Sequence, residues 1–286
     1  MSLPIACLRL LRVSPVLAYL DEGRALLDNP AYQRHIASVA QSDFFFYLSH
    51  RYYLAQGLSR GQRTELACDH YAHEVSAYDP AYFDAVYRNG GLSLWRREIS
   101  GTNFEVVLVP GSDALCEGGL SAVLRVDGGR VCVVSFSHAR RDIVFDRETE
   151  VGATLFVCRK QLAANHDWQP RFNRAFDRCS VAHFCMAAVA GVALAHGYSS
   201  IGAVRPEAQA SCTEERYPKF RASYGKFWES LGGHIRGPFA YELPIPVAMT
   251  PLDELNAKRR HRARRRRKHI AEVRDCARAT IERHRV

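Results

Sequence analysis

Glu117 stands in Cys116-Glu-Gly-Gly-Leu120, a carboxylate followed by two glycines at the start of a predicted strand. Such a carboxylate can deprotonate an amine nucleophile, the usual demand of acyl transfer to nitrogen, or it can be a solvated turn residue. His138 ends another predicted strand, Val131 to Ser137, and offers a base whose ordinary pKa lies near neutrality. Because Ala139-Arg-Arg141 follows, it reads equally as an exposed polar end. A third group is His70-Tyr71-Ala-His73, with Cys68 nearby. On a helix, positions 70 and 73 share a face, but no third and fourth ligand at metal-site spacing follows, so no metal is expected. His70 and Tyr71 are expected to pack on the sheet or to line a substrate pocket. The chain has no Gly-x-Ser-x-Gly elbow, no phosphate-binding Gly-Lys-Ser/Thr loop and no dinucleotide fingerprint.

The strongest electrostatic feature is the run Lys258, Arg259, Arg260, Arg262, Arg264, Arg265, Arg266, Arg267 and Lys268. Residues 258–286 hold 13 Lys and Arg against 3 Asp and Glu, whereas residues 1–257 hold 26 basic and 27 acidic groups. The net charge of +9 therefore belongs to the tail. Such a run can bind RNA phosphates with release of counterions, lie on an anionic inner membrane leaflet, or keep a solvated helix soluble. It contains no aromatic residue to stack on bases, which argues against sequence-specific RNA reading by the tail alone.

The elements that must position these groups follow from patterning. With 47% apolar and 10% aromatic residues, 286 residues can bury a large core. Nine cysteines without a Cys-x-x-Cys read as reduced thiols of a cytoplasmic protein. Arg9 and Arg12 interrupt the apolar N-terminus, which reads as neither signal peptide nor membrane span. Residues 14 to about 88 read as helical, with Ser14-Pro15, Asn29-Pro30 and Ser59-Arg-Gly as boundaries and aromatic clusters at Phe44 to Tyr47 and Tyr52-Tyr53. Strands are expected at Leu92 to Ile99, Phe104 to Val109, Leu120 to Val126, Val131 to Ser137 and Gly152 to Cys158, with Asp127-Gly-Gly129 as a hairpin turn. A helix from Ser180, its expected N-cap, to Ala195 is closed by Gly197. Then come a strand at Ile201 to Val204, a helix carrying Tyr224, Phe227, Trp228 and Leu231 and stopped by Gly232-Gly233, and a strand in Phe239 to Pro244. A long final helix from about Leu252 places Leu255, Ile270, Val273, Ala277 and Ile281 on one side.

Two resemblances meet on these residues. Trp228-Glu-Ser-Leu-Gly-Gly233 looks like the Tyr-x-x-Leu-Gly-Phe ending of the fourth helix of GNAT N-acyltransferases, and a meander followed by α, β, α, β is the GNAT layout. More of the chain, about residues 40 to 270, resembles the VirK/YbjX family. The landmarks are His70-Tyr71, Glu117 to Leu120, Val133-Val-Ser-Phe136, Phe227-Trp228 with Gly232-Gly233, and the basic run.

That family implies roles in envelope modification, virulence and tolerance of antimicrobial peptides. The GNAT resemblance implies an α+β fold with a core over residues 90–250, a central, mostly antiparallel sheet flanked by helices, to which the patterning adds an N-terminal helical layer over 1–89 and a basic C-terminal helix over 251–286. It implies an acyl-CoA pyrophosphate at the helix start near Ser180. There the glycine-rich loop is replaced by Arg174-Ala-Phe-Asp-Arg178-Cys-Ser180, which leaves Arg178 to meet a phosphate. Where many GNAT enzymes carry a tyrosine acid this chain has Trp228, which cannot protonate a leaving group, so Tyr224 stands in, or else packs in the core. The expected activity is transfer of an acyl or aminoacyl group to an amine or hydroxyl of a small-molecule or peptide acceptor. Glu117, Tyr224 and His138 would be catalytic, and His70, Tyr71, Trp228 and Arg178 would bind substrate. The donor would be acyl-CoA or, as in the Fem-like branch, aminoacyl-tRNA. The alternative is a non-catalytic module that binds RNA or anionic lipid through the basic run, in the cytoplasm or peripherally at the inner membrane.

Overall fold

The computed structural model describes residues 53–111, 117–146, 151–247 and 252–286, together with residue 28. The boundaries expected at Ser14-Pro15 and Asn29-Pro30, the Phe44 to Tyr47 cluster and Tyr52 lie outside the described residues.

Helix α1 (Arg60–Ala77) begins at the expected Ser59 boundary, where Ser59 and Gln62 form a capping box that satisfies two free N–H groups reciprocally. Helix α2 (Pro80–Phe83) follows, capped by Asp79, and runs into a π-helical turn at Asp84–Arg88.

Eight strands among the described residues form one sheet, in the order β1-β2-β3-β4-β5-β6-β8-β7. Strands β1 (Leu92–Ile99), β2 (Thr102–Pro110), β3 (Leu120–Val126), β4 (Gly129–Arg140) and β5 (Ala153–Leu162) are an antiparallel meander. The β3–β4 loop is the two residues Asp127 and Gly128, both left-handed, the geometry that matches the right-handed twist of a hairpin. Strand β6 (Ser200–Val204) joins β5 in parallel over only three pairs, ending at Val157 and Ala203. Strand β8 (Ala240–Pro244) pairs antiparallel with β6, and β7 (His234–Arg236) lies outside it. The three residues of β7, just past Gly232-Gly233, are too few to show a period in the sequence.

Short helices α3 (Arg141–Phe145), before β5, and α4 (Gln169–Ala175), after it, precede the long helix α5 (Val181–Ala195). Nearly every side chain of α5 is buried, as its apolar composition requires. Between β6 and β7 the chain forms α6 (Tyr217–Phe220), a π-helical turn (Arg221–Gly225) and α7 (Lys226–Ser230). The last helix, α8 (Ala257–His284), packs along α5. Val273, Ala277 and Ile281 are fully buried, as the predicted stripe requires, and burial of a side chain the size of Val or Ile contributes about 1.5–3 kcal/mol. At Gly191 the helices touch: a Cβ there would stand 2.3 Å from the carbonyl oxygen of Arg274. The C-terminal half of the helix that carries the basic run is therefore part of the core, while most of the run itself is exposed. No helix among the described residues is long and apolar enough to cross a membrane.

Candidate functional site

Glu117 lies just before β3 and is buried, not a solvated turn residue. Its Oε1 accepts from Nη1 of Arg159 on β5 at 2.8 Å, and its Oε2 accepts from Nε2 of Gln209 at 2.7 Å. Burial pushes its carboxyl above the ordinary range, although Arg159 and Gln209 act in the opposite direction. Glu117, Arg159 and Tyr224 share one cavity of about 560 Å³, whose rim carries Lys160, Arg216 and Lys219. Tyr224 sits in the π-helical turn, and its hydroxyl both donates to the carbonyl oxygen and accepts from the N–H of Lys160, each at 3.0 Å. Burial raises the phenol further above its ordinary pKa, so this proton is tightly held.

Past Val157 and Ala203 the parallel ladder stops, and two aromatic residues fill the gap between β5 and β6. Tyr224 meets Lys160 of β5, and Nε1 of Trp228 donates to the carbonyl oxygen of Val204 on β6 at 3.0 Å. Trp228, expected to bind substrate, is fully buried and holds the helix to the sheet.

A second cavity, of about 830 Å³, opens at the start of α5. Its walls include Arg178, His183, Arg259, Arg262, Arg266 and Arg267, with Ser230 and Leu231 of the α7 end on the far side. Ser180 occupies the N-cap position, but its hydroxyl makes no capping hydrogen bond, contrary to the sequence expectation. The loop before it has no glycine, yet Asp177 (φ 53°) and Arg178 (φ 59°) both take the left-handed backbone that glycine favours. Arg266 of α8 supports this turn, donating from Nε to the Asp177 carbonyl oxygen at 2.8 Å and from Nη2 to that of Arg178 at 3.0 Å. Arg265 pairs with the Asp177 carboxylate, while Arg264 is exposed. Arg260 donates to the carbonyl oxygens of Asp253 and Leu255. Of the other basic-run residues, Lys268 is exposed, and the side chain of Lys258 lies outside the described residues. No ion pair to Arg178, Arg259 or Arg262 is found among the described residues, so their charge faces the cavity uncompensated there.

His138 is neither an exposed polar end nor a base near neutrality. It is buried, and burial together with three neighbouring histidines pushes its pKa well below the ordinary value. His70 and Tyr71 are buried on α1 and pack on the sheet. His70 fills the space a Cβ on Gly119 would occupy and accepts at Nδ1 from the N–H of His138 at 3.3 Å; burial lowers its pKa to about 3. One turn on, buried Glu74 accepts from the hydroxyls of Tyr82 and Tyr87, and desolvation raises its carboxyl to about 7.

The third histidine of the group, His196, arrives by a helix cap. Gly197 (φ 73°) ends α5 with the paired bonds from its N–H to Leu194 and from that of Tyr198 to Ala193, a Schellman turn. That turn sets the His196 and Tyr198 rings, stacked on each other with centroids 5.6 Å apart, both against His138. His73, His138 and His196 each offer one ring nitrogen, all within 4.8 Å of one another. Sequence spacing missed this group because its members come from α1, β4 and the end of α5.

The model of a family described as "Protein of unknown function (DUF535)" matches residues 16–154 and 163–277. No curated protein and no solved structure matches this chain.

Proposed function

This chain belongs to DUF535, the VirK/YbjX family whose landmarks its sequence carries, and we propose that it is a GNAT-like transferase whose donor is held by its phosphates. The observation that carries this reading is the arginine-lined cavity at the start of α5, the helix that links the two parallel strands. A helix start presents unpaired N–H groups and the positive end of the helix dipole, and arginines bind phosphate oxygens two at a time. The strand order supports the same layout, with a parallel β5–β6 pair and β8 inserted between β6 and β7.

From the α7 end at Ser230 to Ser223, which borders the Glu117 cavity, is seven residues, or about 10 Å of helix. A donor anchored by phosphate at one cavity can thus present an acyl or aminoacyl ester at the other. There Glu117 is the candidate base for an amine or hydroxyl acceptor, a buried carboxylate whose pKa burial raises, which makes it a stronger proton acceptor than an exposed one. Tyr224, tied to the Lys160 main chain, positions the cavity wall instead of supplying a proton.

Native mass spectrometry of the purified full chain, in low and then high salt, tests this. A retained acyl-CoA or aminoacyl-tRNA supports the reading and identifies the donor. Mixed-length RNA or anionic lipid that leaves with salt, with nothing held in the cavity, favours the non-catalytic alternative.

A further inference from the structure

His73, His138 and His196 do more than cluster. His138 is 1% exposed, and its Nε2 has no hydrogen-bond partner among the described residues. A buried ring nitrogen left without a partner costs free energy and calls for a ligand or other explanation. The other nitrogen of that ring, Nδ1, lies 3.2 Å from the hydroxyl of Tyr198. His196 is arranged the same way: Nε2 is 2.6 Å from the hydroxyl of Tyr78, and Nδ1 turns inward to within 3.2 Å of His73 Nε2. Metal-binding histidines characteristically give their outer N–H to an oxygen, which fixes the tautomer and aims the inner lone pair. Here two of three rings have that outer oxygen, and one nitrogen from each of the three rings lies within 4.8 Å of the others.

We infer that these three imidazoles form a site for a divalent ion of the zinc class. Three nitrogens at about 2.0–2.1 Å from such an ion stand roughly 3.4 Å from one another. The His73–His196 pair already has this separation. The His73 and His138 rings, now stacked with centroids 4.0 Å apart, rotate to bring their nitrogens onto the ion. Three protein ligands leave a fourth position, and the partial exposure of His73 and His196 gives water a way to it. Water there would become more acidic, and a bound carbonyl oxygen would be polarised. Arg285, which donates to the carbonyl oxygen of Ala195 beside His196, adds a positive charge that weakens affinity without occupying a ligand position.

The inference does not depend on the transferase reading, because its test reads metal content, not turnover. The full chain is stripped with chelator and titrated with Zn²⁺ and with Co²⁺. The expected result is about one tightly held zinc per chain, and visible absorption of four-coordinate cobalt. His73→Gln and His196→Gln are expected to lower zinc affinity at least about tenfold, and Tyr78→Phe by about ten- to a hundredfold. His73 and His196 are partly exposed and not core residues, so these variants should fold, which circular dichroism checks. The proposal is overturned if the wild type binds zinc no better than a folded His73→Gln/His196→Gln variant, since binding elsewhere on the surface would survive those changes.

Discussion

Nη2 of Arg266 donates to the main-chain oxygen of Arg178 at 3.0 Å, tying the basic C-terminal helix to the turn that starts α5. The charge of the segment and the shape of the cavity are therefore one feature. An arginine far away in sequence supports the left-handed backbone at Asp177 and Arg178, where a phosphate-binding loop usually relies on glycine.

Removal of residues 258–286 should accordingly unfold the protein instead of leaving a competent core. It deletes Val273, Ala277 and Ile281 and exposes the apolar face of α5. The point version of the test is Gly191→Ala, whose methyl would meet the backbone of Arg274. Overpacking against main chain is expected to cost about 3 kcal/mol. Thermal melts of both proteins check this, and an unchanged melting temperature in Gly191→Ala would show that the helices can separate freely.

Glu117→Gln preserves shape but leaves the Arg159 guanidinium buried without its carboxylate. Breaking a buried pair on one side costs about 3 kcal/mol, whereas removing both charges costs much less. The double variant Glu117→Gln/Arg159→Gln should thus be more stable than Glu117→Gln alone in denaturant unfolding. Any loss of activity in Glu117→Gln has to be read at a temperature where the variant is folded. Additive effects of the two changes would mean that the pair is not coupled.

Glu242 ties three elements together. It accepts from Ser200 at 2.7 Å and from Arg141 at 3.0 Å, and it pairs with Arg236. Burial alone would raise its pKa, but these three partners together hold it below the ordinary value of 4.5. The unfolded chain then takes up the proton first, so this stabilisation is complete above about pH 4.5 and is lost as pH falls through the lower native value. Glu242→Gln should cost about 2 kcal/mol at pH 7 and progressively less as the solution is acidified below pH 4.5. Urea unfolding of both proteins at several pH values measures the difference, and a difference independent of pH would refute the assignment.

Local patterning carried much of the fold. The bounds of β1 and β3 fall where alternation and turn residues place them, and Gly197 closes α5 as its position after an apolar helix implies. Non-local arrangement was not legible. Nothing in the basic run reveals that Arg266 caps another segment, because charge density resembles solvated helix until a partner surface is known. Likewise His70 and His73 show only a shared helix face, while His138 and His196 join them through β4 and a Schellman turn. A usable hint was the second glycine after Glu117: Gly119 has no side chain because His70 fills that space.

If the cavity at the start of α5 holds phosphate, calorimetric titration with inorganic pyrophosphate detects the binding. Pyrophosphate should bind the wild type, and Arg178→Gln/Arg262→Gln should weaken binding by about tenfold or more, from the loss of charge-assisted bonds in the cavity. Arg264→Gln, on the exposed side of the same helix, should bind as the wild type does. Equal affinity in the wild type and the cavity variant, or an equal loss in Arg264→Gln, would place the anion on the helix surface and not in the cavity.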